Sequence, residues 1–179
     1  MKFFQTDLAG ALVIEPDIFR DQRGYFFESF RADRFKKYLG DMNFVQDNES
    51  KSTYGVLRGL HYQISPFEQS KLVRVVKGRI WDVIVDIRHG SDTFGRHIGV
   101  ELSEDNKKML FIPRGFAHGF VTLSDEAILT YKVDNYYSKG QERGIAYDDP
   151  DLNIDWKIKR EDIVLSEKDR ALPLLENYQ

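Results

Sequence analysis

Alternation with period two dominates the middle of the chain. From Trp81 to Arg88, Trp81, Val83, Val85 and Ile87 share one face, while Asp82, Asp86 and Arg88 share the other with a single apolar Ile84. The pattern predicts a half-buried strand. Similar short strands are predicted at Gly10 to Glu15, Lys71 to Val76, Ile98 to Leu102, Met109 to Ile112, Gly119 to Leu123 and Ala127 to Val133. Turn-forming segments separate most of them: Lys77-Gly78, Arg88 to Gly95, Ser103 to Asn106, Arg114-Gly115 and Ser124-Asp125. Short strands spaced this closely, with little helix between them, predict an all-β sandwich, jelly roll or small barrel.

Helix is expected in two places. Ala32 to Leu39 carries Phe35, Tyr38 and Leu39 at helical spacing and meets Gly40 as a C-terminal cap. Ser166-Glu167-Lys168-Asp169 fits a capping box, and Pro173 stops whatever helix follows. No repeat, low-complexity segment or linker divides the chain, so residues 1–179 are expected to form one domain.

Composition narrows the function classes. Hydrophobic residues at 41% and charged residues at 31% describe an ordinary globular chain. The net charge of -3, with Lys and Arg spread along the sequence, gives no basic stripe for a nucleic-acid backbone. Cysteine is absent, which removes disulfides, thiolate nucleophiles and sulfur-ligated zinc together. Polar Gln5, Thr6 and Asp7 interrupt the apolar start, and no run reaches the roughly 20 apolar residues of a membrane helix. A cytoplasmic location, without membrane attachment, is the expectation.

The chemistry-bearing residues cluster in a few segments. His61 follows Arg58-Gly59-Leu60, and imidazole is the side chain best poised to act as a base near neutral pH. A histidine bonded into a barrel wall is the structural alternative. Strict alternation would put Arg58 and His61 on opposite strand faces, unless a bulge at Gly59 brings them together. Lys71 shares a face with Val73 and Val75; a lysine at a strand start ordinarily reaches solvent, and that is the expectation from position alone, but turned inward it would be a fixed cation beside developing negative charge. Tyr131 shares a face with Ala127, Leu129 and Val133, so its hydroxyl needs a buried partner or a chemical role. Asp169 fills the capping-box position, or orients a histidine. Arg23, Glu28, Gln46, Asp47 and Asn48 form a polar, loop-like series that, with Arg58, offers guanidinium groups for a pyrophosphate and amides or carboxylates for a base edge.

Pro113-Arg114-Gly115-Phe116-Ala117-His118 resembles the second motif of the cupin barrels. Metal-binding cupins carry a His-x-His in the first motif; here that segment reads His61-Tyr62-Gln63, so the ligand set is incomplete and no metal is expected.

Six segments in collinear order go further: Phe19 to Ser29, Phe44 to Asn48, Val56 to His61, Lys71 to Arg74, Ile112 to Phe120 and Leu165 to Asp169. Together they closely resemble the dTDP-4-dehydrorhamnose 3,5-epimerases. The resemblance implies a cupin-type jelly roll with a few short peripheral helices, working without metal or organic cofactor, usually as a homodimer. It implies dTDP-4-dehydro-6-deoxy-D-glucose as substrate and dTDP-4-dehydro-L-rhamnose as product, or inversion of only one carbon of a related sugar. His61 would be the general base, Asp169 its orienting partner, Tyr131 the general acid and Lys71 the support of the enolate oxygen. Arg23, Glu28, Gln46, Asp47, Asn48, Arg58, His118, Glu142 and Lys168 would bind nucleotide, pyrophosphate or sugar. Tyr137 is added as a substrate contact and as the alternative phenol. A sugar-binding cupin without catalysis is the rival from another class.

Overall fold

A computed structural model describes residues 1–178, whose short antiparallel strands build two facing sheets. The six-stranded sheet runs in the order β1 (Lys2–Gln5), β2 (Leu12–Glu15), β10 (Met109–Ile112), β7 (Lys71–Lys77), β12 (Glu126–Val133) and β5 (Gln46–Thr53). The five-stranded sheet runs β13 (Glu142–Gly144), β6 (Leu57–Gln63), β11 (Phe116–Thr122), β8 (Arg79–Asp86) and β9 (His97–Ser103). Successive strands from β5 to β12 mostly cross from one sheet to the other, which gives a jelly roll. A separate hairpin joins β3 (Phe19–Asp21) to β4 (Gly24–Phe26). Helix is confined to α1 (Ala32–Leu39), α2 (Glu167–Arg170) and short 3-10 turns. Gly40 caps α1 with a positive φ of 69°, its N–H donating to the Lys36 carbonyl.

Three apolar layers hold these sheets. Between them, Val73, Val75, Leu110, Ile112 and Leu129 meet Ile80, Ile84, Leu102, Phe116 and Phe120. The outer face of the five-stranded sheet is covered by the C-terminal third of the chain, where Ile145, Leu152, Trp156 and Leu175 pack on Leu57, Leu60, Val83 and Val85. Phe35 of α1 lies with Leu12, Ile14, Leu72, Met109 and Phe111 on the outside of the six-stranded sheet. Each fully buried side chain of this kind contributes about 1.5–3 kcal/mol.

This covering corrects the expectation for Trp81 to Arg88. The strand is buried on both faces, not one. Val83 and Val85 face the C-terminal layer, and the polar face turns into the barrel, where Asp82 and Asp86 are both fully buried. Asp86 satisfies itself there: Arg88, Ser91 and Thr93 all donate to it, and they hold its carboxyl well below the usual carboxylate range despite desolvation. The second correction concerns residues 46–53. They form the eight-residue strand β5, paired with β12, although their sequence is polar throughout. An edge strand that exposes alternate residues needs no apolar stripe.

Candidate active site

A cavity of about 550 Å³ opens between the two sheets. His61 and Arg58 line it from β6, His118 from β11, Lys71 from β7, and Tyr131 from β12. Arg58 and His61 share this face because the ladder slips. His61 is opposite His118 and Arg58 is opposite Phe120, so three steps on β6 match two on β11. The bulge sits at Gly59, whose φ is +117°. A Cβ there would lie 2.6 Å from the Gly119 Cα and 2.7 Å from the His118 carbonyl oxygen, so only glycine lets β6 and β11 approach this closely.

His61 Nε2 lies 2.6 Å from Asp169 Oδ1, an ion-pair distance reached without hydrogen-bond alignment. Asp169 comes from α2. Its backbone N–H donates to Ser166 Oγ, which caps the helix, while the Ser166 hydroxyl donates to Asp169 Oδ2 at 2.6 Å. The structure thus gives Asp169 both places: its main chain completes the cap and its side chain faces the histidine. Desolvation alone would raise the Asp169 carboxyl, but His61, Ser166 and a backbone bond from Gly59 outweigh it and hold it ionised.

On the opposite sheet, Lys71 turns inward with Val73 and Val75. Desolvation lowers its pKa to about 8, against the pull of Asp82 and Glu142. Tyr131 is partly buried, and desolvation raises its phenol above the ordinary value even though Arg58 lies near. Burial likewise pushes His118 down, so its ring is neutral at pH 7; Nε2 meets Asp82 Oδ1 at 2.6 Å.

The rim carries further polar groups. Lys168 Nζ is 2.6 Å from Glu142 Oε2, to which the Tyr137 hydroxyl donates at 2.7 Å. Burial would raise the Glu142 carboxyl, but Lys168 and Tyr137 together lower it. Arg58 donates from Nε to Ser52 Oγ and from Nη2 to the Lys51 carbonyl, which fixes the plane of its guanidinium. Gln46 donates to Asn48 Oδ1 at 2.8 Å and accepts from the Tyr137 N–H, so both amides stand on one face of β5.

Three residues expected at the site lie elsewhere in this chain. Arg23 stands exposed at the tip of the β3–β4 hairpin and binds Asp21 at 2.5 Å. Glu28 pairs with Arg31 and Arg34 beside α1. Asp47 has the opposite strand parity to Gln46 and Asn48 and pairs with Lys132 at 2.9 Å on the outer face. Sequence reasoning in turn passed over Asp82, Ser166 and Ser52 as site components; no signal in its own segment marks Asp82, because the layer that buries the other face of β8 comes from the C-terminal third. Among the described residues, no three His, Asp or Glu side chains converge as metal ligands, and no helix is long and apolar enough to cross a membrane.

Comparison with known proteins bears on this geometry. A family model described as dTDP-4-dehydrorhamnose 3,5-epimerase matches residues 5–177. A protein of that name from Shigella flexneri is 53% identical over 170 residues, covering 94% of this chain and 93% of its own. A solved dTDP-6-deoxy-D-glucose-3,5-epimerase from Legionella pneumophila, in complex with dTDP-4-keto-L-rhamnose, is 49% identical with a TM-score of 0.95, over 99% of this chain and 94% of that one. A 3'-monoepimerase from Streptomyces bikiniensis in complex with dTDP-quinovose is 36% identical with a TM-score of 0.88, over 96% and 86% of the two chains. On sequence, length and fold alike, the chain belongs to the dTDP-4-dehydrorhamnose 3,5-epimerase family.

Proposed function

We propose that this single-domain protein converts dTDP-4-dehydro-6-deoxy-D-glucose to dTDP-4-dehydro-L-rhamnose by inverting carbons 3 and 5, on the route to dTDP-L-rhamnose. One observation carries the reading: His61 and Tyr131 face the same cavity from opposite sheets, with the Lys71 cation between Val133 and Ile112 on the tyrosine side. The ketone at carbon 4 acidifies the hydrogens on both neighbouring carbons. His61 takes the proton from carbon 3 or 5, the C–H electrons form the enolate, and its negative oxygen rests on the Lys71 ammonium. Tyr131, still protonated at neutral pH, delivers a proton to the other face of the ring, which restores the ketone with inverted configuration. A positioned acid or base contributes roughly 10²–10⁴-fold, and an oxyanion donor roughly 10²–10³-fold. No electron transfer enters this sequence, so the reading requires neither metal nor organic cofactor.

Binding follows from the rim. Arg58 and Lys168 supply cations for the pyrophosphate. Neutral His118, donating from Nε2 to Asp82, offers Nδ1 as an acceptor for a sugar hydroxyl. Gln46, Asn48, Glu142 and Tyr137 frame the nucleotide end. A cytoplasmic enzyme fits a sugar nucleotide as substrate.

Arg23 and Glu28 belong to a homodimer in this reading. The hairpin that carries Arg23 exposes Phe19 at 65% and Phe26 at 67%, which is expensive to leave in water. A second copy would cover these rings and receive Arg23 near its own cavity. Proton NMR of the product formed from the 4-keto sugar nucleotide, with chelator-treated protein whose mass in solution has been determined, tests the whole reading. An unaltered substrate, activity restored only by metal, or a fully active monomer would each overturn the corresponding part.

A further inference from the structure

Gln63 stands two positions after His61 on β6, and the reaction described above gives it no task. It is buried, with 8% of its surface exposed. Its Oε1 accepts a 2.7 Å hydrogen bond from the Ser138 N–H, while its Nε2 has no hydrogen-bond partner among the described residues. A buried donor left unpaired is destabilising, and a methionine of similar volume would avoid that cost. What the glutamine supplies at this place is one acceptor oxygen.

That oxygen meets the chain beside Tyr137, in the connection from β12 to β13. The Tyr137 N–H donates to Gln46 Oε1 at 3.3 Å, and the next N–H along the chain, that of Ser138, is the one taken by Gln63. The two peptide units that flank Tyr137 are thus held by glutamines from opposite sheets, Gln46 on β5 and Gln63 on β6. Tyr137 is 51% exposed, so its phenol is aimed at Glu142 by the main chain on either side and not by packing. Ser138 also opens the 3-10 turn at Lys139–Gln141, which leads into β13, where Glu142 is the ladder partner of Gln63 itself. The rest of the connection has separate ties: the Ile64 N–H donates to the Gln141 carbonyl, Gln69 Nε2 to the Asn135 carbonyl, and Asn135 Nδ2 to the Pro66 carbonyl. Loss of the Gln63 oxygen therefore frees the peptide beside Tyr137 and leaves the rest of the connection in place.

We propose that Gln63 is a positioning residue for nucleotide binding: it fixes the peptide after Tyr137, as Gln46 fixes the one before it, and so holds the phenol on Glu142 in the orientation that receives the ligand. The proposal rests on the placing of Tyr137 and Glu142 at the nucleotide end of the site. Gln63 acts through Tyr137 and reaches no substrate atom itself.

Gln63→Met removes the oxygen at nearly constant volume, and Gln63→Glu keeps it. Calorimetry with dTDP and steady-state kinetics read the effect. In Gln63→Met the Kd for dTDP and the KM should both rise about tenfold, with a smaller fall in kcat, and Gln63→Glu should restore most of the affinity. A double-mutant cycle with Tyr137→Phe shows whether the effect passes through the phenol: in the Tyr137→Phe background, Gln63→Met should change the Kd by less than about twofold. If the Met variant does not fold, Gln63→Ala removes the same oxygen and takes its place in the cycle. An unchanged Kd on loss of the oxygen, or the same rise with and without the Tyr137 hydroxyl, overturns the proposal. Unaltered dTDP affinity in Tyr137→Phe alone overturns the placing of Tyr137 at the nucleotide end, and this proposal with it.

Discussion

Asp169 lies 2.6 Å from the imidazole of His61, and the helix that brings it there is capped by Ser166, whose hydroxyl also holds the second carboxylate oxygen. The residue that faces His61 and the cap that starts α2 are therefore built from the same Ser166–Asp169 pair. His61→Asn should remove turnover and exchange at both carbons, a loss of about 10²–10⁴-fold in kcat. Asp169→Asn, which keeps the shape but not the charge, should lose less than this. Steady-state kinetics on the two variants check the order, and equal losses would make Asp169 more than an orienting group.

Lys71 should give the reaction its alkaline limit. Its pKa of about 8 means that the cation is present below that pH and lost above it. The rate constant kcat/KM should fall about tenfold per pH unit above roughly 8. Lys71→Gln should cost roughly 10²–10³-fold at neutral pH, whereas Lys71→Arg, which does not titrate in this range, should remove the alkaline limb from whatever activity survives. Full pH profiles of the three proteins decide the matter.

Tyr131→Phe keeps the ring against Leu129 and removes the hydroxyl. Stability should change little, by about 1 kcal/mol, while inversion fails more severely than deprotonation. In heavy water the variant should exchange substrate hydrogen through His61 and return it to the same face. Unreduced formation of the inverted product would assign the acid to another group, with Tyr137 as the first to test.

Gly59→Ala tests the bulge. The added methyl meets the Gly119 Cα and the His118 carbonyl, and the residue keeps a positive φ that alanine disfavours. A loss of about 1–3 kcal/mol or more in unfolding free energy is expected. Activity should fall in the folded fraction as well, since Arg58 and His61 share a face only through this slip. Denaturant unfolding beside single-turnover kinetics separates the two effects.

The apolar strands, α1 and the inward turn of Tyr131 were legible because alternation and caps are local signals, whereas the inward turn of Lys71 was not, because a lysine at a strand start ordinarily reaches solvent. Arg58 and His61 were legible as a conflict, which the bulge at Gly59 resolves. β5 was not legible, because a polar edge strand is stabilised by its ladder with β12 and has no hydrophobic pattern to read. Asp82 was placed toward solvent because nothing in its own segment says that the C-terminal third will cover the other face of β8. Arg23, Glu28 and Asp47 carry the right chemistry in the right order along the chain, yet their parity and pairing in the folded chain point them away from the cavity.

The central claim is that one base reaches both carbons beside the ketone. Incubation of the protein with dTDP-4-dehydro-6-deoxy-D-glucose in heavy water, followed by NMR and mass spectrometry of the sugar, tests it most directly. The account predicts deuterium at carbon 3 and at carbon 5 of dTDP-4-dehydro-L-rhamnose, and at neither carbon with His61→Asn. Deuterium confined to one carbon, or incorporation at either carbon that persists at the unaltered rate in the His61 variant, would contradict it.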